Sequence, residues 1–262
     1  MSSDQESRPA DWEADKYSRT ATPQREWSEA VLDRLELSGD ETVVDAGCGS
    51  GNVTEDLLAK LPDGRVIGVD GSPSMIEEAT ARLGDDPRTS FICQDLAKLQ
   101  LDEQVDHVFS NATFHWIADH DALFRSLAGA TRPGGSLIAQ CGGRGNVAEV
   151  IDALGVVNRQ APFAEIFGEY DDPWTFAGPE ETEIRLIGAG YEDVECWLEE
   201  RVAHPEDPRG FFEASFLAPA RQVLDDEQFT EYTDRLLAEM GQPASFNYVR
   251  LNMTAKRKSE NE

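Results

Sequence analysis

The chain has 262 residues, 51 of them acidic and 23 basic, for a formal net charge of −28. That length admits one large α/β domain with an appendage, and the charge opposes binding to nucleic-acid backbones or anionic membranes. No run approaches the roughly 18 apolar residues of a membrane span, and "MSSDQESRPADWEAD" lacks the parts of a signal peptide, so a soluble, cytoplasmic protein is expected.

The acids are spread along the whole chain and lysine is scarce, five against 18 arginines. Such a surface suits concentrated salt, where screening weakens self-repulsion; a halophilic source is expected, an acidic mesophilic one being the alternative. Cys48, Cys93, Cys141 and Cys196 are far apart, without a CxxC pair or a nearby histidine at ligand spacing. Reduced, buried thiols and no metal site are expected.

Residues 1–10 are polar and read as disordered. Residues 11–38 read as a helical lid, two helices broken near Thr22-Pro23, the second placing Trp27, Ala30, Val31 and Leu35 on one face. From 39 to 143 short β-rich runs alternate with helical periodicity. Strands are expected at 42–46, 65–69, 89–93, 106–110 and 136–140, and helices near 51–60, 73–83 and 120–130. This is the pattern of an α/β protein with a doubly wound, mostly parallel sheet.

Beyond Gly143 helices are expected at 147–159 and 179–189, then a sixth strand in "YEDVECWLEERVAH", helices at 208–224 and 226–240, and a last strand in "SFNYVRLNMTAKR". The helices at about 205–243 read as an insertion that covers the acceptor side of a site. Residues 11–262 are taken as a single domain.

The stretch "VVDAGCGSGNVTEDLL" is a strand, a glycine-rich turn and a helix, the usual ligand end of an open α/β sheet. Gly47, Gly49 and Gly51 remove side chains where a ligand approaches backbone. Charge then chooses the ligand: a pyrophosphate at the helix N-terminus would be repelled by Asp45, whereas a phosphate-free cofactor with a cationic end would be attracted. S-adenosylmethionine is such a cofactor. Asp70 ends the second strand, where an acid accepts from ribose hydroxyls, and Asp95 ends the third. Taken singly, Asp45 also reads as a helix N-terminal acid, Asp70 as a turn residue and Asp95 as a surface cap.

Through "VVDAGCGSG", "VIGVDGSPSMI", "FICQDLAKL", "DHVFSNATFHWIADH" and "TRPGGSLI" the chain resembles the class I S-adenosylmethionine-dependent methyltransferases over about residues 11–143. "SNATFHWIADHDALFRSL" is similar to the trans-aconitate methyltransferase-like group of small-molecule enzymes. The resemblance implies a seven-stranded Rossmann-like sheet with an antiparallel last strand. It also implies that Asp45, Ala46, Gly47, Cys48, Gly49 and Gly51 line the methionine part, that Asp70, Gly71 and Ser72 hold the ribose, and that Met75 packs on the adenine. Gln94, Asp95 and Leu96 would meet the adenine edge, Asn111 would floor the methyl donor, and Tyr17 and Gln24 would approach from the lid. Met75 as an ordinary core residue and Tyr17 as a helix anchor are the plainer readings.

Methyl transfer from a sulfonium asks the protein for alignment and exclusion of water, and for a base only where the acceptor carries a proton. His115 is expected to deprotonate or orient the acceptor and Trp116 to wall its pocket, unless the two form a packed loop pair. A carboxylate acceptor calls for an arginine; Arg144 is placed first, with Arg25, Arg159 and Arg250 also qualifying. Phe163, Phe167, Trp174, Phe176, Phe211, Phe212 and Phe216 read equally as a pocket roof or as core.

The expected activity is therefore O-methylation of a small carboxylic acid, with methylation of a quinone-type ring carbon or an acyl-carrier-bound carboxylate as alternatives. A non-catalytic S-adenosylmethionine-binding regulator is the alternative of another class. A small-molecule acceptor, no nucleic-acid partner and no membrane partner are expected, and the sequence leaves oligomeric state open.

Overall fold

The structure, a computed structural model, describes residues 22–167 and 173–259, with no description of the side chains of 22–26. The expected disordered start, the first part of the helical lid and Tyr17 lie outside the described residues, as does the side chain of Gln24.

Seven strands form one sheet: β1 Thr42–Ala46, β2 Arg65–Asp70, β3 Thr89–Cys93, β4 Val105–Asn111, β5 Thr131–Gly142, β6 Tyr191–Ala203 and β7 Phe246–Arg257. Their order is β3-β2-β1-β4-β5-β7-β6. The pairs from β3 through β5 are parallel, and β7 runs antiparallel to both β5 and β6. The chain reverses its direction of strand addition between β3 and β4, which leaves the carboxyl ends of β1 and β4 side by side as the natural ligand crevice.

The sheet is held by two-residue alternation. Val43, Val66, Phe109 and Ile138 point to one face, where they meet Val31 and Leu32 of α1 (Thr22–Leu32) and Leu57 and Leu58 of α2 (Asn52–Lys60). Their neighbours Val44, Ile67, Val108 and Leu137 point to the other, against Leu123, Phe124 and Leu127 of helix 120–130 and Leu186 of helix 179–188. Both faces are covered, so the central strands are apolar throughout.

In chain order the remaining helices are α3 Pro73–Leu83, α4 His120–Ala130, α5 Ala148–Val157, α6 Ala164–Phe167, α7 Pro179–Gly188, α8 Pro208–Phe216, α9 Ala218–Arg221 and α10 Asp226–Glu239. The helix expected over 208–224 is thus two helices, since Pro219 supplies no N–H to the preceding turn and its ring crowds the carbonyl behind it. On α1 the apolar stripe turns toward Ser28 and Leu32, and Ala30 is exposed, because the larger Leu32 gains more from burial. Cys48 and Cys141 are buried thiols, but Cys93 is exposed on the edge strand β3 and Cys196 half-exposed on β6, which corrects the expectation of uniformly buried cysteines. No helix among the described residues is long and apolar enough to cross a membrane.

Helices α5, α8 and α10 build a third apolar cluster with α1's Trp27 and the start of β7. Phe211, Phe212, Phe216 and Phe246 stack on one another there with centroids 5.4 to 6.3 Å apart. Phe163, Phe167, Phe211, Phe212 and Phe216 are all buried in this cluster, and a cavity between α5 and α9 measures only about 20 Å³. They act as core. Phe212→Ala should therefore lower the unfolding free energy by about 3–5 kcal/mol, read by denaturant unfolding; a loss below about 1 kcal/mol would mean that the cover contributes little to the fold.

Candidate active site

The turn after β1 is fastened to β2 by two backbone bonds, Gly47 N and Cys48 N donating to Val69 O at 2.7 and 3.1 Å. Its three glycines share positive φ angles of 84°, 52° and 85° but serve three different ends. A Cβ on Gly47 would lie 2.0 Å from Thr113 Oγ1, and one on Gly51 would press on Ala79 and Leu83 of α3. Only at Gly49 is the space open. Thr113, which sequence reading passed over, fills the place at Gly47.

Asp70 ties the two loops of the crevice together. One carboxylate oxygen accepts from Gly49 N at 3.0 Å and the other from Ser72 N at 2.9 Å, just before α3. Burial raises its pKa, against the lowering effect of those N–H groups. Gly71 and the buried Ser72 form the turn into α3, Ser72 Oγ lying 3.0 Å from Ser74 Oγ. Met75, one turn on, is buried yet belongs to none of the three apolar clusters.

Asp45 lies deeper than the sequence suggested. It is 2% exposed, and Thr54 Oγ1 of α2 donates to its Oδ2 at 2.6 Å. Burial pushes its pKa up to about 7, helped by the negative charge of Asp70 and opposed by the Thr54 bond. Ala46 and Cys48 beside it are buried, and burial likewise pushes the Cys48 thiol up; it is inert at neutral pH.

At the third strand end the side chains are engaged locally. Asp95 is exposed, caps Ala97 N at 2.9 Å and pairs with Lys98 at 3.4 Å. Gln94 braces its own loop through Lys98 O and Gln100 N, both at 3.3 Å, and Leu96 is core. The Asp95 side chain has the geometry of the surface cap named above as its alternative.

Beyond β4, Asn111 stands on the same face as Asp45, and its Oδ1 is buried with no donor among the described residues. Ala112 adopts φ 59°, a left-handed conformation that costs a non-glycine residue roughly 1–2 kcal/mol. The turn sends Thr113 over Gly47 and brings His115 inward. Gly142 N donates to His115 Nδ1 at 3.3 Å, so the ring proton resides on Nε2. Burial, then the charges of Arg250 and His120, hold the imidazole pKa well below its usual value. His115 thereby presents a neutral imidazole with its proton on Nε2.

Its ring stacks on Phe176 at 5.8 Å, Phe176 on Trp174 at 5.9 Å, and Trp116 meets Trp174 edge-on at 5.6 Å. Trp116, Trp174 and Phe176 stay half-buried, unlike the cover's phenylalanines. Arg144 does not join them: it is exposed and pairs with Glu181 at the start of α7 at 2.9 Å. Arg159 follows α5 as an exposed residue, Arg25 lies among the undescribed side chains, and Arg250 is the arginine buried beside His115.

A seven-stranded sheet with an antiparallel β7, a glycine turn after β1 and an acid at the end of β2 describe a nucleoside-cofactor domain. The family model described as a methyltransferase domain matches residues 43–135. A trans-aconitate 2-methyltransferase of Methylobacterium nodulans is 38% identical over 131 residues, half of each chain. One of Variovorax paradoxus is 32% identical over 189 residues, 71% of each chain. A malonyl-[acyl-carrier protein] O-methyltransferase 1 of Ilyobacter polytropus is 30% identical over 147 residues, 54% of this chain and 55% of that one. Among solved structures, a phosphoethanolamine N-methyltransferase 2 of Haemonchus contortus in complex with S-adenosyl-L-methionine is similar at a TM-score of 0.61 and 20% identity, over 94% of this chain and 57% of that one. The chain belongs to the class I S-adenosylmethionine-dependent methyltransferases, in the group of the trans-aconitate 2-methyltransferases. It spans half the length of the first of these relatives, that of Methylobacterium nodulans.

Because the fold holds the Asp45 proton more tightly than the unfolded chain does, ionising Asp45 costs stability, progressively from about pH 4 to pH 7. The variant Asp45→Asn should then melt above the wild type, with a gap that widens over that range and levels off beyond it. Thermal unfolding of both proteins at each pH in one salt reads this; a flat gap would mean that Asp45 ionises at no cost.

Proposed function

We infer that the protein transfers a methyl group from S-adenosylmethionine to a small molecule, with a small carboxylic acid as acceptor. The observation that carries this is the clamp at Asp70, whose oxygens are fixed by Gly49 N and Ser72 N and keep lone pairs for two ribose hydroxyls. The buried Asn111 Oδ1 without a donor and the open space at Gly49 fit the same cofactor. Asp45 lies behind the turn, and a cationic methionine end bound there would favour its ionised form. Met75 flanks the adenine, and Asp95 with Leu96 meets its edge, Asp95 through lone pairs beyond those given to Ala97 and Lys98. Tyr17 and Gln24 would close the lid side.

The chemistry that the cofactor supplies when bound is an electrophilic methyl group: an acceptor lone pair forms the new bond while the S–C pair withdraws to sulfur. The chain's own work is to orient the acceptor and exclude water. A carboxylate needs no base, which agrees with a His115 that is neutral and already protonated at Nε2. The relative named for malonyl-[acyl-carrier protein] supports a second reading, an acyl-carrier-bound carboxylate as acceptor. The lysine-poor charge of −28 supports a halophilic setting.

Calorimetric titration with S-adenosylmethionine, S-adenosylhomocysteine and NADH, in low and in multimolar potassium chloride, tests the cofactor. Micromolar binding of the first two is expected, weakened roughly 100-fold or more by Asp70→Ala, since two hydrogen bonds to a charged group are lost. Binding of NADH alone would overturn the reading. Tight binding of the first two without methyl transfer to any carboxylic acid would favour a non-catalytic regulator.

A further inference from the structure

Arg250 is the single lysine or arginine among the described side chains that is buried, at 5% exposure. It stands on β7 opposite Gly142 of β5, the residue whose N–H fixes the His115 ring. Two positions along the same strands, Asn111, Gln140 and Asn252 lie in one row across β4, β5 and β7. Register partners share a face, so Arg250 stands on the face that carries Asn111, at the crevice end of the sheet.

The guanidinium is held in place by a polar ladder. Arg250 Nε donates to Gln140 Oε1 at 3.2 Å, and Gln140 Nε2 donates to Asn252 Oδ1 at 2.7 Å. Arg34, just past α1, donates to the same Asn252 oxygen at 2.6 Å, and Asn252 Nδ2 donates to Glu199 Oε2 at 3.4 Å. Each amide has one orientation that satisfies this chain of donors and acceptors. Trp27 of α1 lies against Arg250, its ring centroid 5.9 Å from the guanidinium carbon.

Resting on the methyltransferase reading, we propose that Arg250 and the Nε2–H of His115 anchor the acceptor's carboxylate, and that the acceptor is a monocarboxylate on a flat apolar body lying along Trp116, Trp174 and Phe176. A planar guanidinium takes carboxylate oxygens with both charge and direction. The neutral His115 adds a donor without competing for a proton. The half-buried ring row offers an apolar face for a flat body, and Thr175 N donating to His115 O at 2.8 Å holds the two aromatic segments together. Arg250, the one buried cation among the described side chains, gives one carboxylate a desolvated partner.

The test is calorimetric titration of trans-cinnamate, cinnamamide and trans-aconitate into the protein saturated with S-adenosylhomocysteine in high potassium chloride, which screens the surface charges and a buried charge much less. Trans-cinnamate is expected to bind at least 10-fold more tightly than its neutral amide and than trans-aconitate. Arg250→Met should erase the acid–amide difference while changing S-adenosylhomocysteine affinity less than 3-fold, and Arg250→Lys should retain part of it. Should Arg250→Met not fold, the acid–amide comparison on the wild type still decides. Equal binding of acid and amide, no binding of trans-cinnamate, tighter binding of trans-aconitate, or an Arg250→Met variant that keeps the full preference would each overturn the proposal. Failure of S-adenosylhomocysteine to bind the wild type would instead overturn the cofactor reading beneath it.

Discussion

The crevice depends on one carboxylate that accepts from two loops. Asp70 ends β2, and its oxygens take the N–H of Gly49 from the turn after β1 and of Ser72 at the start of α3. Neither N–H has a helical partner at its position, so each would be left to solvent without Asp70. The same bonds hold the glycine turn and the α3 entrance at fixed separation and orient the carboxylate that faces the crevice. Its raised pKa shows the tension in this arrangement: burial works against the charge, and the backbone donors work for it.

The sheet distributes charge along the crevice in one direction. Asp45 and Asp70, both buried or nearly so, sit at the ends of β1 and β2, while Arg250 sits on β7 at the far side of β4 and β5. On the proposed function a cationic donor would meet the acidic end and a carboxylate acceptor the arginine end, with Asn111 between them.

The β1–β5 half was legible because its signals are local. Two-residue alternation in "TVVDA" and "RVIGVD" and the breaks at Gly71-Ser72-Pro73 determine strands and helix starts within a residue or two. Strand-terminal acids follow from those boundaries. The reasons for the glycines did not follow, because Thr113 is 66 residues from Gly47 and reaches it only through the pairing of β1 with β4. The same limit applies to Arg144 and Arg250. By chain position Arg144 is the nearer to the site, yet Glu181 of α7 draws it to the surface, and antiparallel pairing of β7 with β5 brings Arg250 in from 110 residues past Gln140.

What the sequence by itself determined is the α/β alternation, the glycine turn, the acids at the ends of the first strands and the net charge of −28, since each rests on residues within one turn or strand of one another or on composition alone. Only the tertiary structure decided which face each side chain shares, that the cover's phenylalanines are core, that His115 holds its proton on Nε2, and that Arg250 is the buried arginine beside it. Those properties come from strand register and burial, which are set when distant segments compete for the same interior.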